Sequence, residues 1–180
     1  MKRIWLCLVL VVLVGILGFS SPTSASLRDD RYDGNIFALY GGNGSLIPPR
    51  VTLSQSLNEL NRPALLVFYV DDSSDCKLYT PLLNQVQAFY GKTISIIPVI
   101  VDSLKLDQPT TDPTQEAFYY RGFVPQTVLI SSDRQVMFDQ EGKPDFEDLE
   151  IPIRKVLNLP PKVTTQQRDA KVRQINEVNP

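Results

Sequence analysis

Two stretches of the chain are apolar almost without a break, and the pattern between them changes period. Residues 64–70, "ALLVFYV", form a continuous hydrophobic run bounded by turn residues, the mark of a strand buried on both faces. "ISIIPVIV", 94–101, is a second such run. Between them Tyr79, Leu82, Leu83, Val86, Phe89 and Tyr90 recur at steps of three and four, which predicts an amphipathic helix closed by Gly91. Strand, helix and strand of these lengths make a βαβ unit with parallel pairing. Pro98 cannot donate to a ladder, so a bulge or an unpaired side is expected there. "DQPTTDPTQEAFYYRGF" predicts a loop entering a short helix, and "PQTVLISSDRQVMFDQEG" alternates around a Ser-Asp-Arg turn as an antiparallel hairpin does. Phe146, Leu149, Ile153, Val156 and Leu157 then stripe a last helix, with Pro144 before it and Pro160-Pro161 after it.

Upstream the pattern is weaker. Ser26 to Asn35 is polar and predicts a loose lead-in. "IFALYGGNGSLIPPR" suggests a short strand, a Gly-Asn-Gly turn and a Pro-Pro stop. Thr52 then caps a short helix with Leu53, Leu57 and Leu60 on one face. The expected organisation is an N-terminal strand or hairpin and short helix over 26–63, an α/β core over 64–159 with a central mixed sheet flanked by helices, and a polar C-terminal tail over 160–180. A length of 180 residues supports one such domain.

The first 25 residues belong to none of this. Lys2 and Arg3 precede an apolar run from Ile4 to Phe19, and Thr23-Ser24-Ala25 offers the small residues of a cleavage site. This is the pattern of a signal peptide, 1–25, cut after Ala25. The alternative is an uncleaved anchor, since the run approaches the roughly 17 residues that span a bilayer. Losing Lys2 and Arg3 leaves 16 of the 18 basic residues against 20 acidic ones, a net charge of −4, so nucleic acid is not expected as a partner. Losing Cys7 leaves Cys76 as the one cysteine, which excludes an internal disulfide. The chain has no histidine, which removes Ser-His and Cys-His pairs and imidazole metal sites from consideration.

"LLVFYVDDSSDCKLYTPLL", 65–83, resembles the active-site strand and helix of the thioredoxin-like superfamily, in which Cys-X-X-Cys-Lys opens the helix and a proline follows five residues after the second cysteine. Cys76, Lys77 and Pro81 match that second half, and "RGFVPQT" resembles the loop whose cis-proline faces the dithiol, which makes Pro125 the candidate cis-proline. The resemblance implies a thioredoxin-like fold, a βαβ unit followed by a ββα unit. With an export signal and "FYVDDSSDCK", the chain is most similar to the cyanobacterial thylakoid-lumen thioredoxin-like proteins known as photosystem I accumulation factors.

The departures bear on the chemistry. Ser73 stands at the attacking-cysteine position, and a hydroxyl does not supply the low-pKa thiolate that starts disulfide exchange. Asp72 replaces the preceding tryptophan, and Val67 stands where the family buries its acid, nine residues before the second cysteine. Cys76 is therefore either structural or a monothiol working through mixed disulfides, and the sequence leaves the sign of its pKa shift open: the helix N-terminus favours the thiolate, while burial, Asp71, Asp72 and Asp75 oppose it. The acidic turn lacks the glycine and glutamate of a calcium loop, so Asp72 or Ser73 is expected to cap the helix, with Asp75 complementing its dipole and Lys77 solvated. No catalytic residue, cofactor or metal is assigned. The resemblance implies a non-catalytic assembly factor that binds photosystem I subunits or a biogenesis factor through Asp72, Ser73, Ser74, Asp75, Cys76, Val124 and Pro125. It also implies a place in the thylakoid lumen or on the lumenal face of the thylakoid membrane, with the periplasm as the alternative and with membrane association through the N-terminal segment. The competing expectation is a thiol-disulfide oxidoreductase using Cys76.

Overall fold

The computed structural model describes residues 26–42, 44–108 and 110–162. The expected signal segment, Cys7 and the tail beyond Lys162 lie outside these residues.

Four strands, β1 (Ala64–Tyr69), β2 (Ser95–Ile100), β3 (Gln126–Ile130) and β4 (Val136–Glu141), form one sheet in the order β2-β1-β3-β4. β1 pairs parallel with β2 and antiparallel with β3, and β3 pairs antiparallel with β4. Helix α1 (Ile36–Leu39) precedes the sheet, α2 (Ser74–Tyr90) links β1 to β2, and α3 (Phe146–Val156) closes the chain after β4. A βαβ unit joined to a ββα unit with a mixed central sheet is the thioredoxin-like fold.

β1 is apolar at every position because both its faces are covered. Leu65, Val67 and Tyr69 pack with Ile36, Phe37, Tyr79, Leu83, Val86, Leu149 and Ile153 on the helical face. Ala64, Leu66 and Phe68 pack on the other face with Leu53, Leu57, Tyr119, Val128 and Ile130. Each large side chain so buried contributes about 1.5–3 kcal/mol of transfer free energy, which makes β1 the element most costly to disrupt. β2 has one strand partner among the described residues, so Pro98, opposite Val67, lies on an edge strand where proline is tolerated.

Two expectations for the segment before β1 and one for α2 are corrected. The strand and hairpin expected around "IFALYGGNGS" is instead α1 followed by a 3₁₀ turn at Gly44–Leu46. Asn35 accepts the Ala38 N–H and starts the helical turn, and Ile36 and Phe37 are both buried, which an alternating strand does not allow. The helix after Thr52 forms, with the hydroxyl of Thr52 accepting the Gln55 N–H, but it winds as a π-helix over Gln55–Glu59 and leaves Leu60 exposed. Phe89 is 67% exposed, off the buried stripe of α2, although its ring lies 6.0 Å from that of Phe146. Gly91 ends α2 for a steric reason rather than a left-handed one: its φ is −62°, but a Cβ there would lie 2.6 Å from the Gln87 carbonyl oxygen.

Candidate functional site

The end of β1 delivers the chain through Asp71 and Asp72 to the N-terminus of α2. Ser73 is the N-cap: its backbone is extended, its hydroxyl accepts the Cys76 N–H at 3.4 Å, and its carbonyl accepts the Lys77 N–H at 3.0 Å. Asp30 reaches back from the lead-in to accept the Ser74 N–H at 2.8 Å, and Asp71 accepts the Ile36 N–H at 3.1 Å. Two of the free N–H groups at the start of α2 are thus satisfied by side chains, one of them from 44 residues upstream.

Cys76 is 1% exposed and belongs to the core cluster on the helical face. Burial, the largest influence, pushes its thiol above the ordinary cysteine range, and Asp75 and Asp72 push the same way. Hydrogen bonds from the Val70 N–H and the Ser73 hydroxyl pull downward without reversing the shift. This resolves the sign the sequence left open: the thiol is held neutral. Val67 is fully buried, with Thr127 of β3 on one side and Pro98 on the other. The nearby polar pair is uncharged, the Tyr79 hydroxyl meeting the Thr127 hydroxyl at 2.6 Å. Thus no carboxylate stands where the family's acid would move the thiol proton.

The Val124–Pro125 peptide is cis, as expected for this loop. Pro125 is buried, and its carbonyl accepts the Gly142 N–H at 2.8 Å. Val124 is half-buried and packs against the cluster that contains Cys76. Because Cys76 and Pro125 are both buried, the surface offers a partner the exposed Asp72 and Asp75, the half-exposed Ser73, Ser74 and Val124, and Phe123, which the sequence reading passed over and which is 55% exposed. A second cis bond, Ile47–Pro48, was also passed over.

Lys77 is corrected outright. Expected in solvent, it is completely buried, and its ammonium meets five oxygens: the carbonyls of Ser26, Asp29 and Arg31 and the carboxylates of Asp29 and Asp33, at 2.7–3.2 Å. It also lies 5.5 Å from the centre of the Tyr40 ring. Burial alone would lower its pKa, but the bonds to Asp33 and Asp29 outweigh that and raise it. Asp33 is held down at about 2, first by the Tyr40 hydroxyl and then by Lys77. The lead-in Ser26–Asn35 is therefore a strap laid over the start of α2. Among the described residues no group of three or more His, Cys, Asp or Glu could hold a metal ion, and no helix is long and apolar enough to cross a membrane.

No family model matches the chain. The thylakoid membrane protein slr1796 of Synechocystis is 42% identical over 176 residues, which cover 96% of this chain and 86% of that protein. The chain belongs to the slr1796 family. Solved structures similar to this slr1796 relative include a putative thiol:disulfide interchange protein DsbE from Chlorobium tepidum, 25% identical with a TM-score of 0.47 over 61% of this chain and 90% of that one. Another is thioredoxin-2 from a malaria parasite, 18% identical with a TM-score of 0.43 over 52% and 82%. In this slr1796 relative Ser73 caps α2 and the Cys76 thiol lies in the core.

Proposed function

We propose that this chain is a non-catalytic thioredoxin-like assembly factor, exported to the lumenal face of the thylakoid membrane, where it supports photosystem I accumulation by binding a subunit or a biogenesis factor. The observation that carries the non-catalytic reading is the sealed thiol: Cys76 is 1% exposed, and the residue at the attacking position is committed to capping α2. What remains accessible is a recognition surface beside the cis-proline loop, made by Asp72, Ser73, Ser74, Asp75, Phe123 and Val124. The thylakoid setting is supported by the name of the slr1796 relative, and the photosystem I assignment by the resemblance carried by "FYVDDSSDCK".

The test is complementation of a cyanobacterial deletion strain, with photosystem I content per chlorophyll as the readout. Cys76→Ala is expected to restore the wild-type level, and Phe123→Glu, on a chain that still melts cooperatively, is expected not to. The reverse pattern would overturn the binding reading in favour of a monothiol oxidoreductase. A deletion that leaves photosystem I content unchanged would overturn that assignment.

A further inference from the structure

At the other end of α2 from Ser73 and Cys76, a cleft of about 100 Å³ lies between the end of that helix, the start of β2 and the segment that carries Arg50. Leu46, Val51, Ile94 and Ile96 supply apolar wall, and Arg50 and Arg62 supply two positive charges. Among the described residues, no acidic side chain lines the cleft and neither arginine forms an ion pair. Arg62 is held in place by backbone, its Nη2 donating to the Ile94 carbonyl at 3.2 Å and its Nε to the Thr93 carbonyl at 3.5 Å. Arg50 is exposed. Two of the carbonyls that end α2 are answered within the chain, Gln87 by the Gly91 N–H and Tyr90 by those of Thr93 and Ile94, which leaves the arginines to set the sign of the cleft. The sheet edge adds a further donor. Ser95 gives its N–H to the Pro63 carbonyl on the β1 side at 2.8 Å, so strand alternation turns the Ile96 N–H the other way, to the edge where β2 has no strand neighbour among the described residues. Pro98, the next outward position, has no N–H.

We propose that this cleft binds a carboxylate carried on a short apolar chain, the group that a branched aliphatic acid or the last residue of a polypeptide presents. Its volume lies below the roughly 300–1,000 Å³ of pockets that enclose a whole drug-sized ligand, so it takes a terminal group. A guanidinium fork matches the two oxygens of a carboxylate, and the bonds are strengthened by charge. Arg50 and Arg62 supply that charge, the Ile96 N–H supplies a donor fixed in direction, and Leu46, Val51 and Ile94 cover the chain that carries the acid. A phosphate has more oxygens to satisfy and meets apolar wall where it needs donors. A neutral amide of the same shape gives the arginines nothing to pair with. The strand edge also selects an end over a passing segment, because an added strand finds a donor at the cleft and none at Pro98.

The full chain, isotope-labelled and held in a neutral detergent, is titrated with isovalerate and with an N-acetylated tripeptide ending in valine, and the Ile96 amide signal is followed by NMR. The uncharged amides of both compounds and inorganic phosphate are titrated beside them. A saturable shift of Ile96 is expected with the acids, with a dissociation constant on the order of 1 mM for ligands this small, and none with the amides. Arg50→Gln is expected to weaken binding about tenfold, the loss of one charge-assisted contact. Arg50 is exposed, and the comparison of acid with amide on the unaltered chain stands alone if that variant does not fold. A tripeptide that binds about tenfold tighter than isovalerate assigns the site to the end of a polypeptide, and one that binds no tighter assigns it to a free acid. No saturable shift, amides that bind as well as the acids, phosphate that binds more tightly than either acid, or an unchanged affinity in a folded Arg50→Gln chain overturns the proposal.

Discussion

Native Cys76 should react at least about a thousand times more slowly than the same residue in the unfolded chain. Alkylation at neutral pH needs a thiolate and a path for the reagent. Burial raises the thiol's pKa and leaves the side chain 1% exposed, so both requirements are met only after the first turn of α2 opens. Opening breaks the Cys76-to-Ser73 cap bond, the Lys77-to-Ser73 backbone bond, the Ser74-to-Asp30 bond and the packing of Cys76 in the core. If that demands most of a typical global stability, even the low end of about 5 kcal/mol corresponds to a suppression above about 10³, at a factor of ten per 1.4 kcal/mol. The assay is the iodoacetamide alkylation rate by intact mass, native against guanidinium, at pH 7 and pH 8.5. Ser73→Ala sharpens it: loss of an N-cap costs about 1 kcal/mol, so native labelling should accelerate about fivefold while the unfolded rate stays constant. A native rate within tenfold of the unfolded one, or one already saturated with pH at neutrality, would refute the sealed-thiol argument and with it the non-catalytic reading.

Ser73→Cys restores the Cys-X-X-Cys spacing but not the acid, because Val67 remains. The double variant with Val67→Asp should reduce an insulin disulfide measurably faster than Ser73→Cys alone, and equal rates would show that the missing acid is immaterial. Asp33 has a folded pKa of about 2 against an ordinary 3.8, so its contribution to stability is complete above about pH 4 and is lost as pH falls towards 2. Asp33→Asn should therefore flatten the acid side of the stability curve in that window, as measured by urea midpoints. Gly91→Ala places a Cβ 2.6 Å from the Gln87 carbonyl oxygen and should lower stability by about 1–3 kcal/mol despite its higher helix propensity. An unchanged urea midpoint would mean that the end of α2 yields freely.

The core was legible because its signals are side-chain signals. A two-faced strand must be apolar throughout, and "ALLVFYV" is; a helix between two such strands must stripe, and Tyr79, Leu83 and Val86 do. The cap and the buried thiol were legible for the same reason: Ser73 and Cys76 were picked out by side-chain identity, and the structure places Ser73 at the N-cap of α2 and Cys76 in the core. The strap was not. Lys77 is held by three backbone carbonyls and two carboxylates, and carbonyls carry no signature in a sequence, so a polar segment that grips a buried ammonium has the composition of a loose tail. α1 was missed because it is a single turn, four residues long, set by the Asn35 cap and by the Asp71 carboxylate 35 residues away. Glu150 also gave no warning: it is buried on α3 because the Tyr90 hydroxyl and the Lys162 ammonium reach it at 2.7 Å each.

The distance in sequence between Lys77 and its oxygens imposes an order on folding. Ser26 to Asp33 lie 44–51 residues ahead of the ammonium they surround, so in a chain synthesised from its N-terminus they emerge first and have nothing to hold. Closing so long a loop yields nothing until β1 and the first turn of α2 are in place to present Lys77. The strap is then among the last parts of the domain to settle, and its closure signals that the strand and helix beneath it have already formed.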